Sequence, residues 1–174
     1  MALSDGTFWA LLGAIPASLG PGSGELAFRL ILAAVLGALI GAERSRAEKP
    51  ADTRTMMLIS VGAAAFALIG ERVIAQSEGG ASVGIVSDPT RVLAYIISGV
   101  GFLGAGAILH SKRTVKGLTT ASSIWCTAGV GAACGLGEIV IAGVVCGIVL
   151  LTLWGPWVYY SVTGKAPPNG SSDS

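Results

Sequence analysis

The sequence predicts an all-α membrane protein, a polytopic bundle of about five transmembrane helices. Three observations predict it. Of 174 residues, 52% are hydrophobic and only 12% are charged, about half the ~25% charge of a soluble domain. Mean hydropathy is +0.74. Glycine supplies 26 residues, about twice its usual ~7% share, and several fall at the spacing by which membrane helices approach one another. The same numbers exclude other classes. A disordered chain would be polar and charge-rich. A net charge of +1 leaves no footprint for nucleic acid. With 7 prolines and no period of three in the glycines, the chain is not collagen-like.

A span needs ~20 mostly apolar residues to cross ~30 Å of hydrocarbon. The first apolar stretch, 8–19, is too short and contains Pro16. Its leader MALSDG carries Asp5 and no base, unlike a secretory signal. Residues 1–25 therefore read as an interfacial or re-entrant segment, with a cleaved signal as the alternative. The spans are expected at 26–42, 56–70, 92–109, 121–136 and 139–160. The first is interrupted by Arg29, four residues after Glu25 and so spaced for an i,i+4 pair. The last ends in Trp154, Trp157, Tyr159 and Tyr160, an interfacial aromatic belt. The transmembrane domain is read as 26–162, and 163–174, rich in Pro, Gly and Ser, as a disordered tail.

Basic residues orient the spans. With five spans, the loop holding Arg44, Arg46, Lys49 and Arg54 shares a side with Lys112, Arg113, Lys116 and Lys165, eight of the 11 bases. The positive-inside rule puts that side in the cytoplasm and the N-terminus outside. Charges near the membrane are costly and usually paired or functional. Glu43 and Arg54, at neighbouring span ends, could pair. Asp88 before Pro89 marks a helix start. Arg91 opposes the helix dipole there and calls for a partner, with Asp88, Glu71 and a lipid phosphate as candidates. His110 reads as an interfacial residue or a pH sensor.

Gly37/Gly41, Gly131/Gly135 and Gly143/Gly147 form GxxxG pairs within spans. Ser98, Gly99, Gly101, Gly104 and Gly106 crowd the third span, with Gly101, Gly104 and Gly106 expected near one face. That run reads as tight packing or as a locally unwound helix exposing carbonyls to an ion. Gly99-Val-Gly101-Phe-Leu-Gly104 also matches GxGxxG. A dinucleotide site would need a preceding strand and an acid about 20 residues on, where this chain has Leu118-Thr-Thr-Ala121, and that reading is rejected. Cys126, Cys134 and Cys146 fall within spans, lack CxxC spacing and read as buried, reduced thiols rather than metal ligands. No constellation points to an enzyme, a cofactor or a bound metal.

Five blocks together resemble the N-terminal membrane domain of the MgtC/SapB family: LIGAER at 39–44, TRT at 53–55, DPTR at 88–91, SGVGFLGAG at 98–106 and VKGLTTASSIW at 115–125. The resemblance covers about residues 26–150. It implies a bacterial inner-membrane protein of about five spans, associated with growth at low magnesium and, in pathogens, with survival inside macrophages. It also implies a regulator of other membrane machines, the F-type ATP synthase among them. The candidate motif residues are Glu43, Arg44, Arg54, Asp88, Arg91, Ser98, Gly99, Gly101, Gly104, Gly106, Lys116, Thr119 and Thr120. Two departures are visible. Many members carry a further soluble domain after the fifth span, and none is expected in this chain. The family's arginine block reads closer to LRTH, whereas Met56 stands here after Thr55, so no histidine role carries over. The expected partners are the bilayer and a membrane protein or second copy docked on glycine-rich faces. The alternative is an ion transporter or channel, for which Mg²⁺ would need converging oxygen ligands that only Ser98, Thr127 and freed carbonyls could supply.

Overall fold

A computed structural model describes residues 23–78, 89–111 and 114–163. The described elements are α1 (Ser23–Arg46), α2 (Thr53–Glu78), α3 (Pro89–Gly106), β1 (Leu109–Ser111), β2 (Thr114–Lys116), α4 (Leu118–Gly135) and α5 (Ile139–Thr163). The 8–19 segment, Asp88 and residues 164–174 lie outside the described residues; Thr163 belongs to α5, not to the tail.

Several helix ends have a chemical reason. α1 carries Glu25 in its first turn and Arg44 and Arg46 in its last, matching charge to both ends of the helix dipole. The chain then turns through two non-glycine residues with positive φ, Glu48 (54°) and Ala51 (63°). Asp52 caps α2: its Oδ1 accepts the Thr55 backbone N–H at 3.0 Å and the Thr55 hydroxyl at 2.8 Å. These bonds hold the Asp52 carboxyl below its ordinary pKa. The Ser45 hydroxyl accepts the Thr53 N–H at 3.0 Å and ties the end of α1 to the start of α2. At the far end of α4, Gly137 takes φ 80°. Glu138 N–H donates to the Ala133 carbonyl and Gly137 N–H to that of Cys134, a Schellman closure.

The third span was expected to stay helical to residue 109, but α3 ends at Gly106. Leu109 instead opens an antiparallel hairpin pairing Leu109 with Lys116, His110 with Val115 and Ser111 with Thr114. Gly117, at φ 86°, starts α4 so close to Ala107 that a Cβ would strike the Ala107 carbonyl. α3 itself is continuous from Pro89 to Gly106, so the unwound-helix reading of its glycines is not what forms.

The interior is built on glycine. A Cβ on Gly37 would sit 2.7 Å from Ser60 Cβ, and one on Gly41 2.5 Å from Thr53 Cα. From the other side of α2, a Cβ on Gly131 would overlap the Ser60 carbonyl oxygen and one on Gly135 that of Ala64. Two GxxxG pairs, on α1 and α4, thus clasp the same helix. α5 adds Ala142, Cys146 and Val149 to a core with Ala33, Ile40, Val130 and Cys134. α3 lays Leu93, Ile96 and Val100 against Ala63, Ala128 and Ala132. The three cysteines are free; Cys134 and Cys146 are buried.

Outside, Phe28, Ile31, Val35 and Leu39 recur along α1 at 49–63% exposure. Such a stripe is a liability in water and the expected wall of a bundle in lipid. α1 and the Thr53–Ile74 part of α2 are long and apolar enough to cross a membrane; Thr90–Gly106 and Ile139–Gly155 are shorter apolar helices. α4 is the most enclosed. Its Thr120, Ser123 and Thr127 are buried, and the hydroxyls of Ser123 and Thr127 donate to the Thr120 and Ser123 carbonyls at 2.9 and 2.7 Å, so they need no water.

Candidate functional site

Three assemblies concentrate the polar and motif residues. The first lies where α1 ends. Arg44 is 3% exposed, and its Nη2 donates to the Thr120 hydroxyl at 2.7 Å. This bond joins two motif blocks 76 residues apart in sequence. Arg44 Nε and Glu43 Oε2 are buried without a hydrogen-bond partner among the described residues. Glu43 is electrostatically coupled to Arg44 and Lys49. The expected Glu43–Arg54 pair does not form. Ion pairs do form at Arg29, with Glu25 and Glu71, whereas Arg54 is exposed on the first turn of α2. In the TRT block the threonines hold the turn, while the arginine faces outward.

Arg29 is the centre of the second assembly, at the opposite end of the bundle. It pairs with Glu25, as its spacing predicts, and also with Glu71 of α2 at 3.2 Å. Its Nη1 donates to the Gly135 carbonyl at 2.9 Å, satisfying one of the free acceptors that end α4. A Cβ on Gly137 would lie 2.9 Å from Nη2, so the Schellman glycine also makes room for the guanidinium. One side chain thus ties α1, α2 and the end of α4 together.

The third assembly surrounds α3. Its glycines do not share one face. Gly104 is in van der Waals contact with Ala121 of α4, at 3.6 Å from a Cβ to the Ala121 carbonyl oxygen, whereas a Cβ on Gly99, Gly101 or Gly106 would meet nothing within 4 Å. Gly99 opens onto an apolar groove of about 910 Å³ between α2 and α3, with Gly62 on its other wall. At one end the helices close up, where a Cβ on Gly70 would stand 2.7 Å from the Val92 side chain. Arg91 and Tyr95 line that region. Both are exposed, Tyr95 at 70%. Glu71, one expected partner of Arg91, is held by Arg29 instead.

Of the remaining candidates, Ser98 is exposed, Thr119 is half-buried, and Lys116 ends β2, exposed. Ser98 and Thr127 do not converge: Thr127 is buried and turned to Ser123 and to the Met56 sulfur at 3.5 Å. Among the described residues no three His, Cys, Asp or Glu cluster to hold a metal. Ser60, buried between two glycine pairs with its hydroxyl unpartnered, was not singled out from the sequence. Its only signal there is a small polar residue inside an apolar run.

Among the described residues, five helices with apolar outer faces and a glycine-packed interior define an all-α integral membrane bundle. The MgtC family profile matches residues 30–156. Protein MgtC of Salmonella typhimurium is 44% identical over 109 residues, 63% of this chain and 42% of that protein. Protein SrpB of Synechococcus elongatus is 41% identical over 140 residues, 75% of this chain and 74% of SrpB. A Haemophilus influenzae protein without an assigned function is 39% identical over 126 residues, 72% of this chain and 52% of its own. The chain belongs to the MgtC family. It spans about half the length of the Salmonella and Haemophilus relatives. No solved structure matches significantly.

Proposed function

We propose that this chain is a non-enzymatic regulator of the bacterial inner membrane, docking the glycine face of α5 on another membrane protein. The observation that carries the reading is the division among GxxxG pairs. Gly37/Gly41 and Gly131/Gly135 are consumed by internal packing, whereas a Cβ on Gly143 or Gly147 would meet nothing within 4 Å. Around that pair Val140, Val144, Ile148 and Leu151 stand 56–78% exposed. In lipid, burial of apolar surface gives helices little reason to associate, and small residues that let backbones approach supply it instead. The family resemblance supports the F-type ATP synthase as the partner and magnesium-limited growth as the setting.

The orientation proposed from the basic residues puts the Arg44 end of the bundle in the cytoplasm. Reporter fusions test it: alkaline phosphatase should be active when fused after Gly79 and inactive after Gly164, and the reverse pattern would invert the topology. The ion-carrier alternative needs oxygen ligands that converge, and neither Ser98 nor Thr127 supports it. The test of the regulator is co-purification of ATP synthase membrane subunits with the chain, paired with growth of a deletion strain at low magnesium. Gly143→Leu should abolish co-purification while the protein still inserts. Retained binding in Gly143→Leu, Gly147→Leu and the double variant would contradict the proposal. Mg²⁺ flux into liposomes holding the purified chain would replace it with the carrier.

A further inference from the structure

The groove between α2 and α3 has the dimensions and the charge of a lipid site. Its α2 wall runs from Leu58 to Ile74 and its α3 wall from Arg91 to Leu103. At ~1.5 Å per residue the α2 wall is about 24 Å long, most of the ~30 Å hydrocarbon depth. The lining is apolar apart from Arg91 and the Tyr95 hydroxyl. The absence of side chains at Gly62 and Gly99 gives the groove its width, since neither position has any atom within 4 Å of an added Cβ.

Arg91 stands beside Val92, which packs on Gly70. That places it at the level of Glu71, in the polar band that holds the Arg29 pairs. This is headgroup depth, where Tyr and Arg are ordinarily found. Glu71 is engaged by Arg29, no described acid pairs with Arg91, and the next base, Arg72, is also exposed. A guanidinium over the mouth of an apolar groove complements a phosphodiester joined to an acyl chain.

We infer that the α2–α3 groove binds one anionic phospholipid, with an acyl chain along Gly62 and Gly99 and the phosphate on Arg91. This site is separate from the α5 face, so either proposal can fail without the other. The bound lipid fills a gap that the protein leaves open, and it couples the position of α3 to the composition of the leaflet at its start.

The test is lipid retention by the full chain, measured by native mass spectrometry after purification from mixed phosphatidylglycerol and phosphatidylethanolamine nanodiscs. The wild type should keep one lipid, with phosphatidylglycerol preferred. Arg91→Gln should keep a lipid but lower that preference roughly fivefold, the worth of one basic residue at an anionic surface. Gly62→Leu and Gly99→Leu fill the groove from opposite walls and should each lose the retained lipid whatever its headgroup. Agreement between them separates a filled groove from damage to one helix, and Arg91→Gln reports independently if either fails to fold. Retention unchanged in both leucine variants, or a headgroup preference unchanged in Arg91→Gln, would overturn the inference. So would a wild-type dimer that holds no lipid and dissociates in the leucine variants, because a second copy would then be the occupant.

Discussion

A single methyl group on Gly131 would land on the Ser60 carbonyl oxygen, a backbone atom that cannot rotate away. Gly131→Ala therefore has to push α2 and α4 apart, and it should cost about 1–3 kcal/mol, read as lost thermal stability in detergent. Ser60→Ala at the same contact should be neutral or stabilising, because the hydroxyl it removes is buried and unpartnered. Thr120→Val keeps the shape of the residue and leaves the Arg44 guanidinium without its hydroxyl acceptor; a loss of about 1–3 kcal/mol is expected, while Thr120→Ser should keep most of the bond. The Asp52 cap gives a pH dependence. Thr55 lowers the carboxyl pKa in the folded state, so the cap contributes fully above the unfolded value of ~3.9 and is lost as pH falls through the lowered folded value. Hydrogen exchange at the Thr55 amide should show protection at neutral pH that fades in acid, and Asp52→Ala should remove that dependence. Glu43, Arg44, Arg54 and Thr120 were all visible as motif residues. The pairing of Arg44 with Thr120 was not, because that bond depends on the rotation of two helices about their axes, which sequence distance does not encode. In the TRT block the eye goes to the arginine, yet the short threonine side chains make the bonds.

Among the elements, long uncharged runs between charged or turn-forming ends place the five described helices in order. Boundaries failed where apolar residues change backbone state without changing polarity. Ile108 and Leu109 prolong the hydropathy of α3, but the helix stops at Gly106 and Leu109 enters a strand. The hairpin offers little sequence signal, with three residues on each side. The α3 glycines were also misjudged as one face. At 3.6 residues per turn, Gly101 and Gly106 lie about 140° apart, and contact with Ala121 selects Gly104 alone. The GxxxG pairs looked alike in sequence, and only the packing shows that two are used inside and one is open. Substitution on α5 should accordingly be structurally silent: Gly143→Leu and Gly147→Leu should leave thermal stability within about 0.5 kcal/mol of wild type, as surface changes do, where Gly131→Leu should not fold normally. A large loss of stability in the α5 variants would mean that the open face is part of the core.

Across the whole molecule, two polar ends frame an apolar middle. Arg44 joined to Thr120, and Ser45 to Thr53, gather the end of α1 and the starts of α2 and α4. Arg29 gathers the start of α1, Glu71 near the end of α2 and the end of α4. These bonds hold α1 antiparallel to α2 and α4, and they put the end of α1 and the start of α4 on one side of the bundle. Two features stay open around the small-residue interior, the α5 face and the α2–α3 groove. The most direct measurement is photo-crosslinking in the cell from a photoreactive residue at Val144, beside Gly143 and Gly147, with the buried Ile40 position as reference. An adduct to an ATP synthase membrane subunit is expected from position 144, none from position 40, and loss of the adduct when Gly147→Leu is added. Absence of any protein adduct from position 144, or an adduct that survives Gly147→Leu unchanged, would contradict the proposed docking.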